Sequence, residues 1–147
     1  MADGMEGIDV VAVTAWFADR IENLVTPLNF ELLAGGHSNL TYLVTDGAGR
    51  SYVLRRPPLG HVLQSAHDMG REHKIISALQ GSSVPVATTV DLCTDHSVND
   101  APFYVMDYVA GPVLHDHDAA VDLSEDDRES LGLHVIDVLS ALHKICL

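Results

Sequence analysis

The spacing of apolar residues divides this chain into a helix near each end, a helix in the middle, and short β-type runs between them. Asp9 can cap a helix in which Val10, Val13, Phe17, Ile21 and Leu24 recur at three and four positions, with Pro27 as its limit. Trp16 lies beside that stripe, placed to help pack the helix onto a sheet. Strands are predicted over residues 29–34, 40–45 and 51–55, with a Gly-containing turn at 46–49 and a stop at Pro57-Pro58. Together they make an antiparallel meander. Residues 60–65 read as a loop and 66–80 as a helix. Residues 88–93 and 103–106 read as strands four and five, separated by a polar hairpin loop at 94–102. The order of three strands, one helix and two strands, flanked by helices, is an α+β arrangement.

The last helix is the odd one. Ser124 is a natural N-cap, Glu125, Asp126 and Asp127 suit the positive end of the helix dipole, and Lys144 suits the negative end. Leu131, Val135, Val138, Leu142 and Ile145, joined by Leu139 and Cys146, form a face too wide for one small sheet. The expectation is that more protein packs beside this helix.

Composition narrows the partners. The 147 residues are 47% hydrophobic and carry a net charge of −13, which fits a globular domain and disfavours nucleic acid and anionic lipid. Any site for an anion must be local, built from a few placed cations and backbone dipoles. Cys93 and Cys146 lie far apart without CxxC spacing and read as free buried thiols in a reducing compartment. The first seven residues are unlike a signal peptide, and no apolar run is long enough for a membrane span, so a cytoplasmic protein is expected.

Candidate chemistry begins at Gly35-Gly36-His37-Ser38-Asn39. An apolar run enters this diglycine turn and an alternating run leaves it. Such a turn lets backbone approach a ligand, and its free N–H groups can cradle phosphate oxygens; by itself it also suits an ordinary hairpin. On strand three, alternation puts Val53 and Arg55 on one face and Tyr52, Leu54 and Arg56 on the other. Glu72 falls in the apolar stripe of the middle helix with Met69, Ile75, Ile76 and Leu79. There it either meets Arg55 or stays solvated beside Arg71, His73 or Lys74. Residues 103–111 form an apolar strand with an extended exit, suited to the edge of a purine or to an edge strand leaving for a loop. His115-Asp116-His117-Asp118 reads as a solvated acidic loop rather than a metal site, and His134 and His143 as packing or boundary residues of the last helix.

These residues, in this order, resemble the N-terminal lobe of the aminoglycoside phosphotransferase family of protein-kinase-like small-molecule kinases. The marks are Gly35 to Tyr42, Tyr52-Val53-Leu54-Arg55-Arg56-Pro57-Pro58, Arg71-Glu72, and Val105 to Gly111. The Leu-Arg-Arg-Pro-Pro stretch is most similar to the branch associated with acyl-CoA dehydrogenases. The resemblance implies a five-stranded antiparallel sheet with a covering helix, an N-terminal helix, and a C-terminal helix leading to a missing C-lobe. The implied division is 1–28, 29–110 as nucleotide-binding lobe, and 111–147. It also implies a nucleotide site of Gly35, Gly36, His37, Ser38, Asn39, Val53, Arg55, Glu72, Met106, Asp107 and Val109. Arg55 stands where the family usually has a lysine and Glu72 orients it. Met106 backs the adenine pocket, and the Asp107 carbonyl and Val109 N–H read the adenine edge.

One absence matters. The family's His-Gly-Asp catalytic loop with its downstream Asn, and the later magnesium-binding Asp, are not in this sequence. Phosphoryl transfer needs both a positioned base and a metal. The resemblance therefore implies the nucleotide-gripping part of an enzyme that moves the γ-phosphate of ATP or GTP to a small-molecule hydroxyl. The chain alone is expected to be inactive and weakly binding, with Mg2+ required only in the presence of the C-lobe. The alternative is a non-catalytic module that pairs, for example as a homodimer, through its last helix.

Overall fold

A computed structural model describes residues 5–33, 39–60, 67–114 and 118–145. Helix α1 spans Val10–Arg20, and the Asp9 carboxylate accepts from the Ala12 N–H at 3.0 Å, as a capping residue should. The helix ends at Arg20, seven residues before Pro27 and sooner than the apolar spacing suggests. The reason is tertiary. The Arg50 guanidinium donates to the carbonyls of Glu22 and Asn23, which offers the backbone partners outside the helix.

Strands β1 (Asn29–Leu32), β2 (Leu40–Thr45), β3 (Ser51–Arg56), β4 (Thr89–Cys93) and β5 (Phe103–Asp107) form one sheet in the order β1-β2-β3-β5-β4. Every neighbouring pair is antiparallel. The α+β architecture with a five-stranded antiparallel sheet is as expected. Asp46 holds the β2–β3 turn, accepting from the Ala48 and Arg50 N–H groups and from Arg50 Nε.

One sheet face packs on α1. Tyr42, Val44, Tyr52, Leu54, Phe103 and Val105 join Val13, Trp16 and Phe17 in a single core. Trp16 meets Phe103 edge-to-face at 4.9 Å and Phe17 at 5.7 Å, so it packs the helix on the sheet. Arg56 also belongs to this side; it is buried and donates to the Gly7 carbonyl.

Helix α2 (Met69–Leu79) serves the opposite face. It starts later than expected because Asp68 Oδ1 takes the Arg71 N–H at 2.9 Å, ending the preceding chain in a side-chain cap. Its apolar stripe is not a buried one. Met69 is buried, while Ile75 is exposed, and Glu72 and Ser77 of α2 bond to Tyr104 and Thr89 of the sheet. The expected β4–β5 hairpin loop contains a further helical turn, α3 (His96–Asn99), capped by Asp95. Asn99 of α3 accepts from the Asp9 N–H at 2.9 Å and ties this turn to the start of α1.

The chain divides into two compact units. The sheet, α1, α3 and nearly all of α2 form one. The other contains residues 79–86 and 109–147. Within it, helix α4 (Glu125–His143) is capped by Ser124, whose hydroxyl accepts from the Asp127 N–H at 3.1 Å. Arg128 donates to the carbonyls of Ala120, Val121 and Leu123, holding a 3-10 turn at Asp118–Ala120 to the helix. No described residue of α4 is buried. His134 and His143, expected as packing or boundary residues, are exposed. No described helix is long and apolar enough to cross a membrane.

Candidate functional site

The site is made where β3 and β5 run side by side beneath α2. Strand alternation and pairing register put Arg55 opposite Tyr104 and Val53 opposite Met106. Glu72, in the first turn of α2, approaches the same spot. Arg55 Nε lies 3.7 Å from Glu72 Oε2, so the strand cation and the helix carboxylate meet on one face of the sheet. Of the two environments open to Glu72, the structure selects the pairing with Arg55. The distance exceeds hydrogen-bond range, and Arg55 Nε is buried with no hydrogen-bond partner among the described residues.

Glu72 is held by other donors. Asn39 Nδ2 donates to Oε1 at 2.7 Å and the Tyr104 hydroxyl donates to Oε2 at 3.1 Å. A carboxylate only accepts, so the Asn39 amide must present its oxygen elsewhere. It does so to His67 Nδ1 at 2.7 Å, and His67 therefore carries its proton on that nitrogen. Tyr104 is fully buried, and its ring also meets His73 edge-on at 6.0 Å. Burial first, then the adjacent carboxylate, push the Tyr104 hydroxyl up to about 12 against the opposing pull of Arg55, so it remains a donor at neutral pH.

Asn39, Arg55 and Glu72 are thus brought together, with Val53 and Met106 as neighbours on the sheet. Asn39 was expected among the small polar groups at the tip of the turn. Its side chain is instead 6% exposed and committed to Glu72 and His67. Asp107 closes β5, its N–H donating to the Thr88 carbonyl. Val109 is 70% exposed and belongs to the second unit. Gly35, Gly36, His37 and Ser38 lie outside the described residues, as do His115, Asp116, His117 and Cys146. Cys93 is a buried free thiol, and burial pushes its pKa up.

Sequence reading missed Tyr104 and His67. Tyr104 sits in an apolar run where a tyrosine looks like core. Only the β3–β5 register, which joins strands 49 positions apart at Arg55 and Tyr104, gives its hydroxyl a task. His67 carries no periodic signal at all.

A five-stranded antiparallel sheet crossed by one helix, with a strand cation facing a helix carboxylate, defines a kinase-like N-terminal lobe. Residues 29–146 match the model of the phosphotransferase enzyme family, and the chain belongs to that family. A crystal structure of a candidate aminoglycoside phosphotransferase from Ralstonia eutropha superposes with a TM-score of 0.75 at 31% identity, over 93% of this chain and 38% of that one. Acyl-CoA dehydrogenase family member 10 of Mus musculus is 38% identical over 110 residues, which is 75% of this chain and 10% of that protein. Probable acyl-CoA dehydrogenase IBR3 of Arabidopsis thaliana is 34% identical over 139 residues, 90% of this chain and 17% of that protein. The resemblance to the acyl-CoA-dehydrogenase-associated branch is therefore borne out. The chain spans less than two thirds of each of these relatives.

Proposed function

We propose that the chain, as a member of the phosphotransferase enzyme family, has a phosphotransferase-like function. We propose that its share of that function is to grip the phosphates of ATP or GTP, so that the whole protein can pass the γ-phosphate to a small-molecule hydroxyl. The observation that supports this reading is the Arg55 guanidinium. It sits on the face served by α2, next to a carboxylate 3.7 Å away, with a buried Nε donor unused by the described residues. An unsatisfied buried donor on a cation is costly unless a ligand acceptor meets it, and phosphate oxygens suit a guanidinium. Gly35 to Ser38 serve as the phosphate-covering turn in this reading, Asn39 holds Glu72, and Met106 and Asp107 take the base.

Among the described residues no three His, Cys, Asp or Glu side chains converge as a metal site. The residues that orient an acceptor hydroxyl in the family are also absent from its sequence, so the 147 residues bind but do not transfer. A cytoplasmic setting belongs to the same reading, in accord with the buried free thiol of Cys93.

Calorimetric titration with ATP and with GTP tests the grip directly. Weak binding that Arg55→Ala abolishes is the expected result. Binding that is unchanged in Arg55→Ala, or radiolabel transfer by this chain alone, would overturn the assignment.

A second reading rests on α4. Leu133, Val135 and Ile136 are 57%, 66% and 62% exposed, an apolar surface suited to self-pairing. Light scattering after size exclusion separates the two readings: a nucleotide-binding monomer favours the first, and a stable dimer indifferent to nucleotide favours the second.

A further inference from the structure

We infer that Tyr104 is a positioning residue: its hydroxyl occupies the Glu72 oxygen that faces Arg55 and so leaves the guanidinium available to an anionic ligand. The inference rests on the nucleotide-gripping reading and deepens it. Three distances carry it. Tyr104 reaches Glu72 Oε2 at 3.1 Å, Asn39 reaches Oε1 at 2.7 Å, and Arg55 Nε stops at 3.7 Å from Oε2. Both carboxylate oxygens are satisfied by neutral donors, one on β5 and one on the residue that precedes β2. The cation that would ordinarily take the strongest hydrogen bond to a carboxylate is left with its Nε buried and without a hydrogen bond among the described residues.

An arginine makes this arrangement necessary. A guanidinium docks on a carboxylate with a planar fork and two parallel hydrogen bonds, a geometry the compact ammonium of lysine does not form. Left alone with Glu72, Arg55 would be captured by it, and its donors would be spent inside the protein. Tyr104 and Asn39 prevent that capture while still keeping Glu72 next to the cation. Removing the tyrosine oxygen then has a specific consequence. Oε2 loses its donor, the nearest replacement is the unpartnered Arg55 Nε, and the two close into a tight pair that competes with ligand phosphates.

The test is a rescue. Tyr104→Phe is expected to weaken ATP or GTP binding by about tenfold, the size of one hydrogen bond involving a charged group. It should also slow modification of Arg55 by phenylglyoxal, read at that residue by peptide mass spectrometry. Arg50, in the β2–β3 turn with its side chain 41% exposed, serves as the internal reference and should react as before. Adding Glu72→Gln to Tyr104→Phe removes the competing charge, so both the modification rate and the affinity should recover towards the wild-type values. A tyrosine that merely fills space predicts no recovery. Should Tyr104→Phe fail to fold by circular dichroism, Asn39→Ala releases the other carboxylate oxygen and should slow Arg55 modification in the same way. Arg55 reacting as fast in the variants as in the wild type, or Glu72→Gln deepening the loss, overturns the inference. Neither nucleotide binding to the wild type, with the modification pattern as expected, would sink the nucleotide reading and leave the role of Tyr104 standing.

Discussion

The sheet unit and helix α4 both carry regularly spaced apolar side chains and end up in opposite states. In the sheet unit Val13, Phe17, Tyr42, Val44, Leu54 and Phe103 are fully buried. On α4, a well-capped helix with apolar residues at helical spacing, no described residue is buried. Apolar periodicity is present in both. What differs is whether a complementary surface is available. The α1 stripe meets one face of a sheet that pairs strands far apart in sequence, and Trp16 and Phe17 interlock with Phe103 and Tyr52. An amphipathic pattern therefore states that a face is to be covered, not by what.

That contrast can be broken or sharpened by substitution. The largest effect is expected at Phe17→Ala, which removes a fully buried ring and should cost about 3–5 kcal/mol in urea unfolding. A loss below about 1 kcal/mol there would mean that the core is not the seat of stability. Next comes Arg55→Ala, expected to weaken nucleotide binding by about ten- to a hundredfold while leaving the urea midpoint nearly unchanged. It separates a side chain held for a ligand from one held for the fold.

Asp46 supplies a pH test of the same unit. Burial raises its pKa, but hydrogen bonds from Arg50, Val25 and Ala48 outweigh that and hold it below the usual carboxylate value. A folded pKa below the unfolded one stabilises above about pH 4, and that contribution is lost as pH falls through the folded value. Thermal unfolding of the wild type should therefore decline below about pH 4 more steeply than that of Asp46→Asn. Parallel curves would show that the turn does not depend on the charge.

The smallest effects belong to α4. Ser124→Ala should lower helix stability by about 1 kcal/mol, visible as faster amide exchange in the first turns of α4 and not in the sheet. Ile136→Ser should change unfolding free energy by less than about 0.5 kcal/mol, because its side chain is already 62% exposed. A larger loss would show that this face is covered after all.

Much of this was legible before any coordinates. The Asp9 and Ser124 caps, the β2 limits at Leu40 and Thr45, and the face assignment of Tyr52, Leu54 and Arg55 all follow from local chemistry and alternation. The less legible parts share a cause. Helix α1 stops early because a distant arginine takes its next carbonyls. Helix α3 forms where Asp95 and Asn99 find backbone partners in a stretch that reads as loop. Asn39 turns from a ligand-facing residue into a buried one because Glu72 and His67 lie beside it.

The sequence by itself determined the order of the elements, the strand alternation that puts Arg55 and Arg56 on opposite faces, and the family. Those are properties of near neighbours, set by side-chain shape and the repeat of the backbone. Tertiary structure alone decided that the Glu72 carboxylate would be shared between Asn39 and Tyr104 while Arg55 keeps its distance. That choice depends on which strands pair and in what register, and a hydrogen bond forms only where the fold brings donor and acceptor within about 3 Å.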